Sequence, residues 1–515
     1  MRGCYMIGKI KFLYVLFLTS LLSLMLFSSC AVAIKEGAKL SEEEKVREAG
    51  LLDSISAEKL LDYVTKLSSK ECAGRLTGTP EYRNCAHWMA SLFEEWGLKP
   101  MGDNGTYLQS FPNPYTIVFV GGELSYLYRS KGARKKRNYI YEKEYYPGSN
   151  SGNGKFTAEV VYAGYGITAP ELNYDDYKDL NVKEKIVLIE PEVPVSFEQN
   201  PEEYKEWRPY AFYQYKIKMA VAHGAKGMLT NDLTVNPDID YVQDFMTAQV
   251  GETVLKDIFA GTGKIHQEVK TEISNTLTPQ SFRTRKVFTI ENFTEHHPKG
   301  IGYNVLGLIE GVDPGLKEEV IILGANLDHV GFCYEVMPGA NDNASGIAVL
   351  LGVAEALARS PVKPRRSVLM IGFGSKEQAF KGSQTYLEDP VYPKKKTVVY
   401  LNLSMVGCGD TLHARGAETY PEQWKYISRA NEESNQQAIF PEPHSNPGRP
   451  KLDADIFLDK GIPSISFSAF GAPTYPRSTR DTVKTITPQI MEKLSKFLYE
   501  AVLDIANTNQ DFFNK

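Results

Sequence analysis

Val320-Ile321-Ile322-Leu323 is a short, continuous apolar run, and Gly324-Ala325-Asn326-Leu327-Asp328-His329-Val330-Gly331 follows it with polar residues at its end. Ala344 to Ala358 then places Ile347, Leu350, Leu351, Ala354 and Leu357 on one helical face. A buried strand, a polar turn and an amphipathic helix make one α/β unit. The same alternation continues through Ser367 to Phe373 and Thr397 to Leu403, so the region from Gly302 onward reads as a layered α/β domain.

Working outward, Ser56 to Leu67 reads as a helix. Cys85, Met89, Leu92, Phe93 and Trp96 recur at helical spacing before Gly97, a natural stop. Between them lies the loop Gly74-Arg75-Leu76-Thr77-Gly78-Thr79-Pro80. From about Thr116 to Phe288 the texture changes to short β-rich runs such as Glu159 to Tyr162 and Lys185 to Ile189, divided by Gly, Pro and Asn turns. This predicts a separate, mostly β module inserted into the α/β domain. The basic clusters Arg129 to Arg137 and Lys394 to Lys396 are expected in solvated loops.

The chain has 515 residues, 42% hydrophobic and 23% charged, with a formal net charge of -5. These values suit a large folded protein of about three domains and offer no general attraction to nucleic acid. Met1 to Cys30 has a basic start (Arg2, Lys9, Lys11), an apolar run from Phe12 to Phe27, and small residues before Cys30. It reads as an export signal of residues 1–29, and Phe27-Ser28-Ser29-Cys30 resembles a bacterial lipobox with Cys30 as the lipidated residue. The expected location is the bacterial cell envelope, with a lipid anchor in the membrane. Cys72, Cys85, Cys333 and Cys408 show no paired zinc-ligand spacing; disulfides and buried free thiols both remain open for them.

The motifs at the strand ends resemble the M28 family of zinc aminopeptidases, in particular members with an inserted protease-associated (PA) domain. The resemblance rests on Gly324 to Gly331, Pro338 to Gly346, Phe373 to Gln378, Leu401 to Gly407, Asp453 to Pro463 and Asp481-Thr482, in family order. Gly164-Tyr165-Gly166, Asp175-Asp176-Tyr177 and Gly224-Ala225-Lys226-Gly227 are similar to PA-domain landmarks. It implies a three-layer α/β/α mixed-sheet domain built from residues 55–115 and 298–510, a mostly β PA insert at 116–290, and a linker at 30–54.

In that family two zinc ions share a bridging Asp and activate a water that a Glu deprotonates. The resemblance puts the bridging Asp at Asp342, a ligand Glu at Glu377, and a carboxylate behind the ligands at Asp328. It puts the first metal's His at Asn326, its Asp at Ser404, the second metal's His at or next to Arg477, and the general base at Lys376. Amide and hydroxyl oxygens are poor zinc ligands, and an ammonium is no general base while protonated. The expectation is therefore no bound cofactor, with Lys376 and Arg477 supplying positive charge to Asp328, Asp342 and Glu377 in place of the metal. A non-catalytic protein binding a peptide, glycan or protein follows; the alternative is an active zinc aminopeptidase with unconventional ligands.

Overall fold

Every residue of Val320–Asn326 is buried, because this strand lies inside a nine-stranded sheet covered on both faces. Ile321, Leu323 and Ala325 point into one core, and Val320 and Ile322 into the other. The continuous apolar run is thus the mark of a doubly covered strand. Its neighbours Ser367–Phe373 and Thr397–Leu403 run parallel to it, and Ser464–Phe470 runs parallel to the latter. Antiparallel strands flank this centre: Ile301–Ile309 on one side and Thr411–Arg415 on the other.

The structure is a computed structural model that describes residues 50–430, 439–444 and 450–513. On one face of the sheet pack the helices Ala57–Leu67, Pro80–Glu95, Ser345–Arg359 and Pro488–Asn507; on the other, Lys381–Glu388 and Asp453–Leu458. The architecture is the expected three-layer α/β/α domain with a mixed sheet. Ser56 caps the first helix by accepting from Lys59 N, as a serine at that position should.

A second, ten-stranded sheet is built largely from Tyr115 to His297. Its long strands Tyr115–Ser130 and Phe282–His297 pair antiparallel, whereas Gly154–Tyr162, Ile186–Ile189, Gly227–Thr230 and Met246–Val250 pair in parallel. Three expectations need correction here. The insert holds more strand than helix, but it carries the helices Pro201–Trp207, Tyr213–Ala222, Glu252–Phe259 and His266–Thr276, which the sequence pattern does not predict. Parallel pairing requires crossovers, and Pro201–Trp207 with Tyr213–Ala222 lies in the one from Ile186–Ile189 to Gly227–Thr230, within a stretch that reads as turns, while Glu252–Phe259 and His266–Thr276 follow the last parallel strand. The unit also does not stop at 290 or stay separate. Its last strand runs to His297, and Phe332–Cys333 with Glu335–Val336 joins the same sheet through Cys333 and Val118. Thirdly, Arg129 to Arg137 is no loop, because Ala133–Asn138 is a strand pairing with Tyr115–Ser130.

The expected signal at 1–29, Cys30 and most of the linker at 30–54 lie outside the described residues, although residues 50–54 are helical. Among the described residues no helix is long and apolar enough to cross a membrane.

Candidate functional site

The parallel strands end on one rim of the sheet, where α/β folds carry their sites. Asn326 closes one strand, Phe373 leads into Lys376 and Glu377, and Leu403 leads into Ser404. Asp342 lies in the kinked entry to the helix Ser345–Arg359, and the Asp342–Asn343 peptide is cis. Asp481 holds that entry with both oxygens: Asn341 N donates to Oδ1 and Asp342 N to Oδ2, each at 2.9 Å. Gly339, just before it, has φ 59°, and a Cβ there would come within 2.5 Å of the His329 ring. Only glycine fits.

Asn326 is committed to the scaffold. Its Nδ2 donates to Asp328 O at 3.1 Å, and its Oδ1 accepts from Asn343 Nδ2 at 2.9 Å. Asn343 in turn donates to Leu403 O and accepts from Met405 N. An amide chain therefore laces three strand-end loops at the position where the resemblance expects a metal-binding imidazole.

Glu377 is buried between two cations. Lys376 Nζ lies 2.5 Å from its Oε1, and Arg477 Nη2 lies 2.5 Å from its Oε2. Burial would raise this carboxyl, but Arg477 and then Lys376 overcome that and hold it well below the usual range. For Lys376 burial pulls down, yet Glu377 and Asp342 more than reverse it, so the ammonium keeps its proton. Its Nζ is 3.8 Å from Asp342 Oδ1.

The charge-replacement expectation needs one correction: Asp328 pairs with neither cation. It takes Glu377 N on Oδ2 at 3.0 Å, and burial followed by the nearby Glu377 charge raises its carboxyl, favouring the protonated form. Burial likewise raises Asp453 to about 7 and Asp481 to about 6. Ser404 is buried as well, its backbone N–H donating to Phe467 O.

His329 is the residue that sequence reasoning passed over. It is fully buried, neither ring nitrogen has a hydrogen-bond partner, and Nδ1 lies 3.8 Å from Asp342 Oδ2. Burial lowers it to about 4, so the ring is neutral at pH 7. His329, Asp342 and Glu377 offer three ligand atoms within 4.8 Å of one another. The one available signal was its place beside Asp328, and the motif names the carboxylate there rather than the imidazole.

The residues do not fit a dizinc centre. Both oxygens of Glu377 face protein cations, the amide of Asn326 is occupied by neighbouring loops, and one imidazole serves the whole cluster. Beside the cluster opens a cleft of about 730 Å³ between the two sheets' loops, lined among others by Lys376, Arg477, Tyr213, Asp238 and Phe380.

Residues 304–502 match the model of Peptidase family M28. Leupeptin-inactivating enzyme 1 of Streptomyces exfoliatus is 32% identical over 120 residues, which are 23% of this chain and 25% of that one. An aminopeptidase of Pseudomonas aeruginosa (strain UCBPP-PA14) is 24% identical over 362 residues, 69% of this chain and 58% of that one. The chain thus spans between a quarter and about three-fifths of these relatives' length. Among solved structures, an aminopeptidase from Aneurinibacillus sp. strain AM-1 superposes with a TM-score of 0.61 at 19% identity, over 88% of this chain and 95% of that one. A peptidase M28 precursor from Shewanella amazonensis SB2B gives a TM-score of 0.61 at 16% identity, over 91% and 97%. These two likenesses concern the fold. With the matched family model and the strand-end motifs in place on that fold, residues 304–502 carry a peptidase family M28 domain, and the chain resembles the aminopeptidases of that family.

Proposed function

We propose that this chain has given up dizinc hydrolysis and uses the M28 cleft to bind a peptide. The observation that carries this reading is the double engagement of Glu377 by Lys376 and Arg477, each at 2.5 Å. Those cations take the place that metal charge would fill, and the protonated Lys376 occupies the general-base position. The cleft volume of about 730 Å³ suits a ligand of several residues, since binding pockets commonly run to about 300–1,000 Å³. Its walls mix aromatic, acidic and basic groups, as a peptide with both backbone and side-chain polarity requires. The insert, read as a PA domain, supplies one wall.

A second reading is favoured by His329, whose unpartnered imidazole faces Asp342. One metal held by His329, Asp342 and Glu377 would revive an aminopeptidase with unconventional ligands, provided Lys376 and Arg477 swing away.

Elemental analysis after purification with excess zinc separates the two. Far less than one equivalent, with no turnover of aminoacyl chromogens, is expected. Tightly bound zinc together with turnover that a chelator abolishes and zinc restores would overturn the proposal. We place the protein on the cell envelope through a lipid on Cys30; a Cys30→Ser variant should leave the membrane fraction, since among the described residues no helix is long and apolar enough to cross a membrane.

A further inference from the structure

We propose that Cys72 and Cys85 close a disulfide that locks the loop on which the cleft segments rest. Cys72 lies in the short helical segment Lys70–Arg75 and Cys85 in the helix Pro80–Glu95, 13 residues further on. Both are free thiols, both are 3% exposed, and their sulfurs are 2.7 Å apart, inside van der Waals contact. The other two described cysteines face carbonyls instead: Cys333 Sγ is 3.9 Å from Pro147 O, and Cys408 Sγ is 2.9 Å from Thr485 O.

The loop between them is conformationally costly. Ala73, Gly74, Arg75 and Gly78 all have positive φ, at 40°, 71°, 52° and 101°. A free chain visits such a run rarely, so something must hold it. At Gly74 a Cβ would come within 2.3 Å of Gly331 O.

What the loop holds is the site. Gly74 O accepts from Gly331 N, Arg75 O from His329 N, and Thr77 Oγ1 from Ser375 N. The Arg75 guanidinium donates to Leu327 O, Pro338 O and Gly339 O. These contacts fix the segments carrying Asp328, Asp342, and Lys376 with Glu377. A covalent bond from Cys72 to Cys85 would set the geometry of all three.

The chemistry is thiol–disulfide exchange with a small disulfide such as oxidised glutathione. The Cys72 thiolate attacks one sulfur of the oxidant, forming a mixed disulfide and releasing one thiolate. Cys85 then loses its proton and attacks the Cys72 sulfur, releasing the second thiol. Two thiols are oxidised and one disulfide is reduced. The hydrogen bond from Cys85 lowers Cys72 to about 7, which favours it as the attacking group. This inference stands apart from the fate of the zinc site.

The test takes the full chain, purified reduced, and refolds it from urea with excess oxidised glutathione. It is then alkylated in denaturant and mapped by mass spectrometry. A cross-linked Cys72–Cys85 peptide pair is expected, lighter by two hydrogens, with Cys333 and Cys408 alkylated. Dithiothreitol should lower the melting temperature of the oxidised protein by about 5–10 °C. It should also speed amide exchange at 327–331 and 338–342 about tenfold. The Cys72→Ala, Cys85→Ala double variant should show neither change. Alkylation of both Cys72 and Cys85, or a link from either to another thiol, would overturn the proposal whether or not the variant folds.

Discussion

Arg477 ties Glu377 to the inserted unit: Nη2 lies 2.5 Å from Glu377 Oε2, while Nη1 donates to Val235 O at 3.2 Å. Only about a quarter of its side chain meets solvent. Replacing this cation leaves Glu377 buried with Lys376 alone, and breaking a buried ion pair costs about 3–5 kcal/mol. Arg477→His should therefore lower stability by about 3 kcal/mol, somewhat less than a fully buried pair because of that residual exposure. Urea unfolding in chelator measures it, and an unchanged midpoint would reject charge replacement.

Lys376→Glu probes the same cluster from the other side. It removes the ammonium beside Glu377 and Asp342 and adds a third carboxylate, so its cost should be at least about 3 kcal/mol. Adding Arg477→His, Asn326→His and Ser404→Asp recreates the family's ligand types. In that fourfold variant zinc should restore stability by about 2.7 kcal/mol at a hundredfold excess over its dissociation constant. The parent protein's melt should not respond to zinc. Equal responses from both would show that the lost ligands were not what kept zinc away.

Arg75 carries a different prediction. It is fully buried and donates to four carbonyls, those of Leu67, Leu327, Pro338 and Gly339. Each carbonyl left unpaired costs about 1–3 kcal/mol. Arg75→Met should cost more than about 4 kcal/mol and reduce soluble yield sharply. A variant melting within about 2 °C of the parent would mean that water replaces the guanidinium at little cost.

How much of this was legible follows from which physical signals are local. Val320 to Leu323, Val368 to Ile371 and Val398 to Leu401 are continuous apolar runs, and each lies in a doubly covered strand. Asn326, Ser404 and Lys376 could be placed because motif residues bracket them on both sides. Arg477's hold on Glu377 could be anticipated only as charge compensation; its reach to Val235 depends on a contact 242 residues away in sequence. His329 was hidden because its importance comes from burial without a partner, which no spacing reveals. The two-residue strands at 332–336 that merge the units are too short to carry a period. The helices of the insert were missed for a related reason: Tyr213–Ala222 is buried at Tyr213, Lys216, Ile217 and Ala220, and its lysine points inward to the carbonyls of Tyr165, Glu190 and Glu192. A buried lysine blurs the amphipathic pattern.

The last prediction concerns pH and the cleft wall. Asp238 is 4% exposed, and burial raises its carboxyl to about 7 from an ordinary value near 4. Because the folded value lies above the unfolded one, the folded state binds the extra proton. The associated stability is fully present below about pH 4, falls as pH rises, and is lost above about pH 7. A rise from near 4 to about 7 corresponds to about 4 kcal/mol at most; burial drives it upward against Asp240 N, which donates to Asp238 Oδ1 at 3.1 Å and favours the charged form. Asp238→Asn keeps the acceptor for Asp240 N and cannot ionise. Urea midpoints should therefore fall between pH 4 and pH 8 for the parent and fall distinctly less for Asp238→Asn. Parallel curves would show that Asp238 is hydrated and ionised in the folded protein, leaving the cleft wall more negative at neutral pH than its burial implies.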